Sequence, residues 1–74
     1  MPVIDMVATG NNIKDLIKNN GMTVKEVAKV FGFTSAYPVY KWQNGENLPA
    51  LENLVVLAKL LNVTMDDLIV INLI

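Results

Sequence analysis

The sequence contains no cysteine, no histidine and no arginine. Without cysteine and histidine, the chain has no disulfide framework, no Cys/His metal site, no thiol nucleophile and no imidazole base. Without arginine, it lacks the planar bidentate donor that often binds carboxylates and phosphates. The longest apolar runs, residues 54–58 and 68–71, are far shorter than the roughly 18–20 residues of a membrane-spanning helix. We therefore expect no enzymatic activity, no cofactor or metal, no small-molecule ligand and no membrane insertion.

The few charges are unevenly distributed along the chain. The 74 residues include six lysines and seven acidic residues, which gives a net charge of −1. Residues 1–45 carry five of the lysines and three acidic residues, whereas residues 46–74 carry one lysine and four acidic residues. This asymmetry suits a molecule with one face toward an anionic partner and another toward solvent.

The chain length allows one compact domain, and we expect residues 1–74 to form it, with a core of about residues 10–70. The N-terminal residues include Asp5 and no basic residue, unlike a secretory signal. We therefore expect a cytoplasmic protein.

Apolar spacing predicts five helices, separated by glycines at positions 10, 21, 32 and 45 and by Pro49. The first helix is predicted over about residues 12–19. The second follows Thr23 and ends near residue 32. The fourth is predicted over residues 51–61, with Leu51 as the first member of its buried stripe. The fifth begins after Thr64 and continues through Ile69.

The third helix is predicted to run from Ala36 or Pro38 to residue 44. If Ser35 is the N-cap, Pro38 lies in the first turn, where its missing N–H costs nothing. Alternatively, the residue before proline stays extended and the helix begins at Pro38. Within this helix, Val39 and Trp42 are predicted to face the core, with Tyr40, Lys41 and Gln43 outside.

Both ends of the chain are rich in β-branched residues. Residues 3–7 and 69–74 are predicted either to pair as short strands or to add to a partner chain. The tail over residues 68–74 is too apolar to remain exposed on a monomer, which favours a homodimer.

The second and third helices have the steric features of a helix-turn-helix. Ala28 allows close helix packing, Gly32 permits the sharp turn, and Val39 anchors the second helix of the pair. In such a motif, the second helix projects from the body and can enter the DNA major groove.

The ordered set of motifs resembles the Cro/lambda-repressor-type (XRE) helix-turn-helix family. The resemblance extends over about residues 10–70, through GMTVKEVAKVFG, VYKWQNG, Pro49 and LVVLAKLLNV. It implies an all-α, five-helix lambda-repressor-like domain that binds double-stranded DNA. It also implies a transcriptional regulator, and we expect a repressor that acts as a homodimer.

The resemblance also implies site residues. The base-reading positions of the family fall on Ala36, Tyr37, Tyr40 and Lys41, and its phosphate-binding positions fall on Thr23, Val24, Lys25 and Asn44. Lysine can donate to guanine or to phosphate, and tyrosine rings can contact thymine methyl groups. The remaining lysines of the first two helices (Lys14, Lys18 and Lys29) are interpreted as solvated.

A second hypothesis is a protein-interaction module that keeps this fold and binds little DNA. The acidic balance of the chain and the absence of arginine motivate it. In that case Tyr37 and Tyr40 would contact another protein, as in an anti-repressor or an antitoxin-like partner.

Overall fold

The computed structural model describes residues 1–73 and contains five helices and two short strands within them. In chain order, the elements are β1 (Pro2–Ile4), α1 (Met6–Asn19), α2 (Val24–Val30), α3 (Tyr37–Gln43), α4 (Leu51–Leu61), α5 (Met65–Leu68) and β2 (Ile71–Leu73). In this part of the chain, no helix has both the length and the apolar character needed to cross a bilayer.

Helix α1 begins at Met6 rather than near residue 12. Asp5 is its N-cap, and the Asp5 carboxylate accepts a hydrogen bond of 2.9 Å from the Ala8 N–H. This backbone N–H and the side-chain amide of Asn72 hold the pKa of Asp5 below its ordinary value. The ionised carboxylate satisfies a free amide and complements the positive end of the helix, so α1 starts here.

The predicted interruption at Gly10 is wrong, because Gly10 lies inside α1 and is buried. A Cβ atom at this position would lie 2.5 Å from the carbonyl oxygen of Gln43 and 2.6 Å from that of Trp42. Gly45, at φ +74°, approaches α1 in return, and a Cβ there would lie 2.8 Å from the carbonyl oxygen of Met6. The start of α1 and the end of α3 are therefore in backbone contact.

Helix α2 starts at the predicted capping box. The Glu26 N–H donates to the Thr23 hydroxyl at 3.2 Å, and the Thr23 N–H donates to the Glu26 carboxylate at 2.9 Å. The helix ends before Gly32, whose φ of +72° turns the chain toward α3. Ala28 is buried where the two helices meet, as the helix-turn-helix pattern requires.

Helix α3 begins between the two predicted starts. Ala36 is its N-cap, and Tyr37 is helical rather than extended. The Tyr37 N–H donates to the Ser35 hydroxyl at 3.3 Å, so Ser35 supports the helix start without being the N-cap. Pro38 occupies the first turn, where its missing N–H leaves no hydrogen bond unmade.

Gln43 is the residue of α3 whose predicted exposure is wrong. Its side chain is only 7% exposed, because it follows Val39 and Trp42 at the i, i+3, i+4 spacing of the buried face. Trp42 is a core anchor, as predicted. Its ring centroid lies 5.4 Å from that of Phe31 and 5.8 Å from that of Phe33.

Helix α4 has its predicted bounds and packs through Leu57, Ala58 and Leu61. Leu51, expected in the buried stripe, is 70% exposed because it is the first helical residue and projects past the core. Helix α5 starts at a second capping box, between Thr64 and Asp67. It ends at Leu68, and Ile69 is already extended.

The predicted strand pairing is confirmed for part of each chain end. β1 and β2 pair antiparallel, with Pro2 opposite Leu73 and Ile4 opposite Ile71. Val7, expected with the strands, lies in α1. Residue 74 lies outside the described residues.

Helix α1 also holds the C-terminal segment through polar contacts. The Asp5 N–H donates to the Val70 carbonyl at 2.8 Å, and the Val70 N–H donates to the Thr9 hydroxyl at 3.0 Å. The Asn12 side chain donates to the carbonyl oxygens of Asp67 at 2.7 Å and Leu68 at 3.1 Å. The Asn12 bonds satisfy the last carbonyls of α5, and the bonds to Val70 fix the chain beside α1 just before β2.

Candidate nucleic-acid interface

The outward face of α3 carries three of the four predicted base-reading side chains. Tyr37, Tyr40 and Lys41 follow i, i+3, i+4 spacing, and the two tyrosines are 63% and 50% exposed. The Lys41 Nζ atom lies 5.1 Å from the centroid of the Tyr37 ring, a cation–π contact that joins the two side chains. Ala36, the fourth, is half-buried at the N-cap.

The predicted phosphate-binding residues of α2 are placed at its first turn. Thr23 is exposed. Its hydroxyl oxygen accepts a hydrogen bond from the backbone N–H of Glu26, and its O–H remains able to donate to a phosphate. The Val24 side chain packs against the core, so only its backbone N–H is suited to an anion. Lys25 is exposed and extends from the same turn.

Asn44 is the C-cap of α3, at the opposite end of the helix from Ala36 and one turn beyond Tyr40. It is exposed, and its side-chain amide donates to the Glu46 carboxylate at 3.5 Å. Glu46 therefore brings a negative charge to this end of the helix.

A first cavity, of about 370 Å³, lies between α2 and the start of α3. Lys25 and Lys29 from α2 line it together with Ser35 and Ala36. Predicted residues from the two helices therefore share one concave surface. Lys29, interpreted from the sequence as solvated, belongs to the same surface.

A second cavity, of about 250 Å³, lies where α1, the start of α2 and α3 meet. It is lined in part by the predicted residues Thr23, Val24 and Tyr40. Its remaining polar lining was not predicted: Lys14, Lys18 and Gln43. The sequence holds two signals for these residues. Lys14 and Lys18 are four residues apart and therefore lie on the same face of α1, and Gln43 follows Trp42 at a position of the buried face of α3.

The two cavities share a charge pattern. Each is lined by two lysines, and neither lining includes an acidic side chain. Because like charges add their fields in a concave site, each of these two cavities is better suited to an anion than the net charge of −1 suggests. The exposed face of α3 thus carries two tyrosines and lies beside lysine-lined cavities, an arrangement suited to a duplex.

The comparisons with known proteins agree with this geometry. A family model described as helix-turn-helix matches residues 13–68. The chain belongs to this helix-turn-helix family. The match runs from the middle of α1 to the end of α5, and it identifies a DNA-binding transcription regulator of the XRE type.

Among solved structures, the chain resembles the restriction-modification controller protein C.AhdI from Aeromonas hydrophila. The TM-score is 0.75 at 23% identity, over 86% of this chain and 96% of that chain. This similarity confirms the predicted five-helix fold. A search of curated proteins gave no match.

Proposed function

We propose that this helix-turn-helix regulator is a repressor that binds double-stranded DNA as a homodimer, with residues 1–74 as one DNA-binding unit. The observation that carries the proposal is the uncovered face of α3, where Tyr37, Tyr40 and Lys41 project beside two lysine-lined cavities. Family membership supports double-stranded DNA as the partner, and the exposed face of α3 supports insertion of this helix into the major groove.

The proposed contacts divide into two classes. Ala36, Tyr37, Tyr40 and Lys41 contact base edges in the major groove, because they lie at the start and on the outer face of α3. Thr23, Val24, Lys25 and Asn44 contact phosphates and set the position of α3. Phosphate contacts supply most of the affinity, so binding weakens as salt concentration rises.

The experiment is a selection of randomised duplexes with the full chain, followed by affinity measurements on the selected duplex over a salt series. We expect one enriched sequence and a linear fall of log K with log salt concentration. A partner protein captured through the two tyrosines, with no duplex enriched, would instead favour the protein-interaction module.

The homodimer is supported by an apolar face of the terminal strand pair. Residues directly opposite each other in antiparallel strands point to the same face, so Ile4, Ile71, Pro2 and Leu73 share one face. Ile4 is 43% exposed, Ile71 55% and Leu73 83%. Val3 and Asn72 lie on the other face. A second copy of this apolar face would remove these side chains from water.

A pair of lysine substitutions in β1 tests this dimer. Val3 and Ile4 are adjacent and almost equally exposed, at 45% and 43%, but they point to opposite faces. We expect Ile4→Lys to convert the dimer to a monomer in sedimentation equilibrium, because a charge cannot be buried without a partner. Val3→Lys is the matched control and should remain dimeric. If the wild-type chain sediments as a monomer at high micromolar concentration, the homodimer is wrong.

A two-fold dimer also sets the form of the DNA site. The selected duplex should contain two inverted half-sites whose centres are separated by about one helical turn, roughly 34 Å. In a reporter, this site placed over a promoter should lower transcription when the protein is present. Increased transcription would exclude the repressor role and leave DNA binding intact.

A further inference from the structure

The second cavity contains a buried polar group that the fold does not use. Gln43 is 7% exposed, and among residues 1–73 its side chain forms no hydrogen bond. No fully enclosed side-chain nitrogen or oxygen in this part of the chain lacks a partner. The amide nitrogen and oxygen of Gln43 therefore each keep some exposure, and Gln43 lines the second cavity.

An amide in this position has lost most of its contact with water and has gained no hydrogen-bond partner within the described residues. Loss of water from an unpaired polar group costs about 1–3 kcal/mol, which is why buried amides normally have partners. Helix α1 supplies apolar neighbours on this side, since Ile17 lines the same cavity. The fold thus holds the amide in place and provides no partner for it.

The groups around Gln43 indicate what the partner is. Lys14 and Lys18 line the cavity from α1, Thr23 lines it from the N-cap of α2, and Tyr40 lines it from α3. All these side chains can donate hydrogen bonds, and no carboxylate belongs to the lining, although the Glu26 carboxylate accepts a hydrogen bond from the N–H of Thr23. A set of donors with two positive charges suits an oxyanion.

We propose that this cavity binds one phosphate group, with the Gln43 amide at its floor and Lys14 and Lys18 at its rim. The inference rests on the proposed function, because Tyr40 and Thr23 place the cavity beside the DNA contacts. The expected source is therefore a backbone phosphate of the bound duplex. At roughly 30 Å³ per liquid water, a cavity of about 250 Å³ has room for a phosphate and several waters.

The affinity of the selected duplex for single variants provides the first test. We expect Lys14→Gln and Lys18→Gln each to weaken binding about tenfold at low salt and to reduce the salt slope by about 1. Gln43→Glu should weaken binding at least as much, because it places a negative charge at the floor. Lys59→Gln is the matched control, because it removes the same charge from α4, outside both cavities. We expect it to leave the duplex affinity and the salt slope nearly unchanged, since only the small long-range effect of one charge is lost.

Gln43→Met separates the role of the amide from its role in packing. We expect an unfolding temperature equal to or above that of the wild type, because an unpaired amide is removed, together with weaker duplex binding. If the three cavity variants and Gln43→Met all retain wild-type affinity and salt slope, the cavity does not contact the duplex.

The side-chain NH₂ signals of Gln43 in NMR spectra distinguish the two sources of phosphate. Addition of the duplex should shift them, and chloride at matched ionic strength should not. A saturable shift with inorganic phosphate, combined with unchanged duplex binding by the variants, would assign the cavity to free phosphate. No shift with either probe would overturn the inference, even if the chain binds DNA. If no duplex binds at all, the proposed function fails and the inorganic phosphate titration alone decides the cavity.

Discussion

Gly10→Ala is expected to destabilise the fold by about 2–3 kcal/mol, the upper end of the range for overpacking. Ordinarily, alanine in place of a glycine inside a helix stabilises it by about 1 kcal/mol. Here the added Cβ would lie 2.5 Å from the carbonyl oxygen of Gln43 and 2.6 Å from that of Trp42. These are backbone atoms of α3, so the overlap can be relieved only by moving one helix away from the other.

Thermal unfolding followed by circular dichroism measures this effect, and the midpoint should fall by roughly 10–20 °C for a domain of this size. Asn11→Ala is the matched control, because Asn11 is the next residue of α1 and its side chain is exposed. This control gains helix propensity without a new contact, so its midpoint should be unchanged or slightly higher. Equal stability of the two variants would contradict the backbone contact between α1 and α3.

The contact between Gly10 and α3 illustrates why local features of the fold could be predicted from the sequence and long-range contacts could not. Helix starts such as Thr23 with Glu26 were predicted because the hydrogen-bond partners are three residues apart. The role of Gly10 was missed because its neighbours, Trp42 and Gln43, are more than thirty residues away in the chain. A glycine that permits close packing and a glycine that ends a helix have the same appearance in a sequence.

The candidate site shows a similar division. The outward positions of Tyr37, Tyr40 and Lys41 follow from the helical period of α3 once Val39 is placed in the core. The cavity around Gln43 does not follow from any one segment, because α1, the α2 start and α3 each supply part of its lining. Lys14 and Lys18 therefore look like an ordinary solvated face until the helices are assembled.

Lys41→Glu is expected to weaken binding of the selected duplex about 100-fold, which corresponds to roughly 3 kcal/mol. The substitution removes a donor from the face of α3 and places a negative charge beside the phosphates. It also removes the cation–π contact with Tyr37, whose ring lies 5.1 Å from the Lys41 Nζ atom. Because Lys41 lies outside the buried core, the fold itself should be preserved. Fluorescence anisotropy at low salt measures the loss.

The matched control for this loss is Lys59→Glu, which makes the same change of net charge on an exposed position of α4. If overall charge alone governs binding, both variants should lose affinity equally. If α3 lies in the groove, Lys41→Glu should lose far more, and a new selection with it should enrich a different or degenerate base at one position of each half-site. Equal losses and an unchanged selected sequence would remove Lys41 from the base-reading set and require a different face for the duplex.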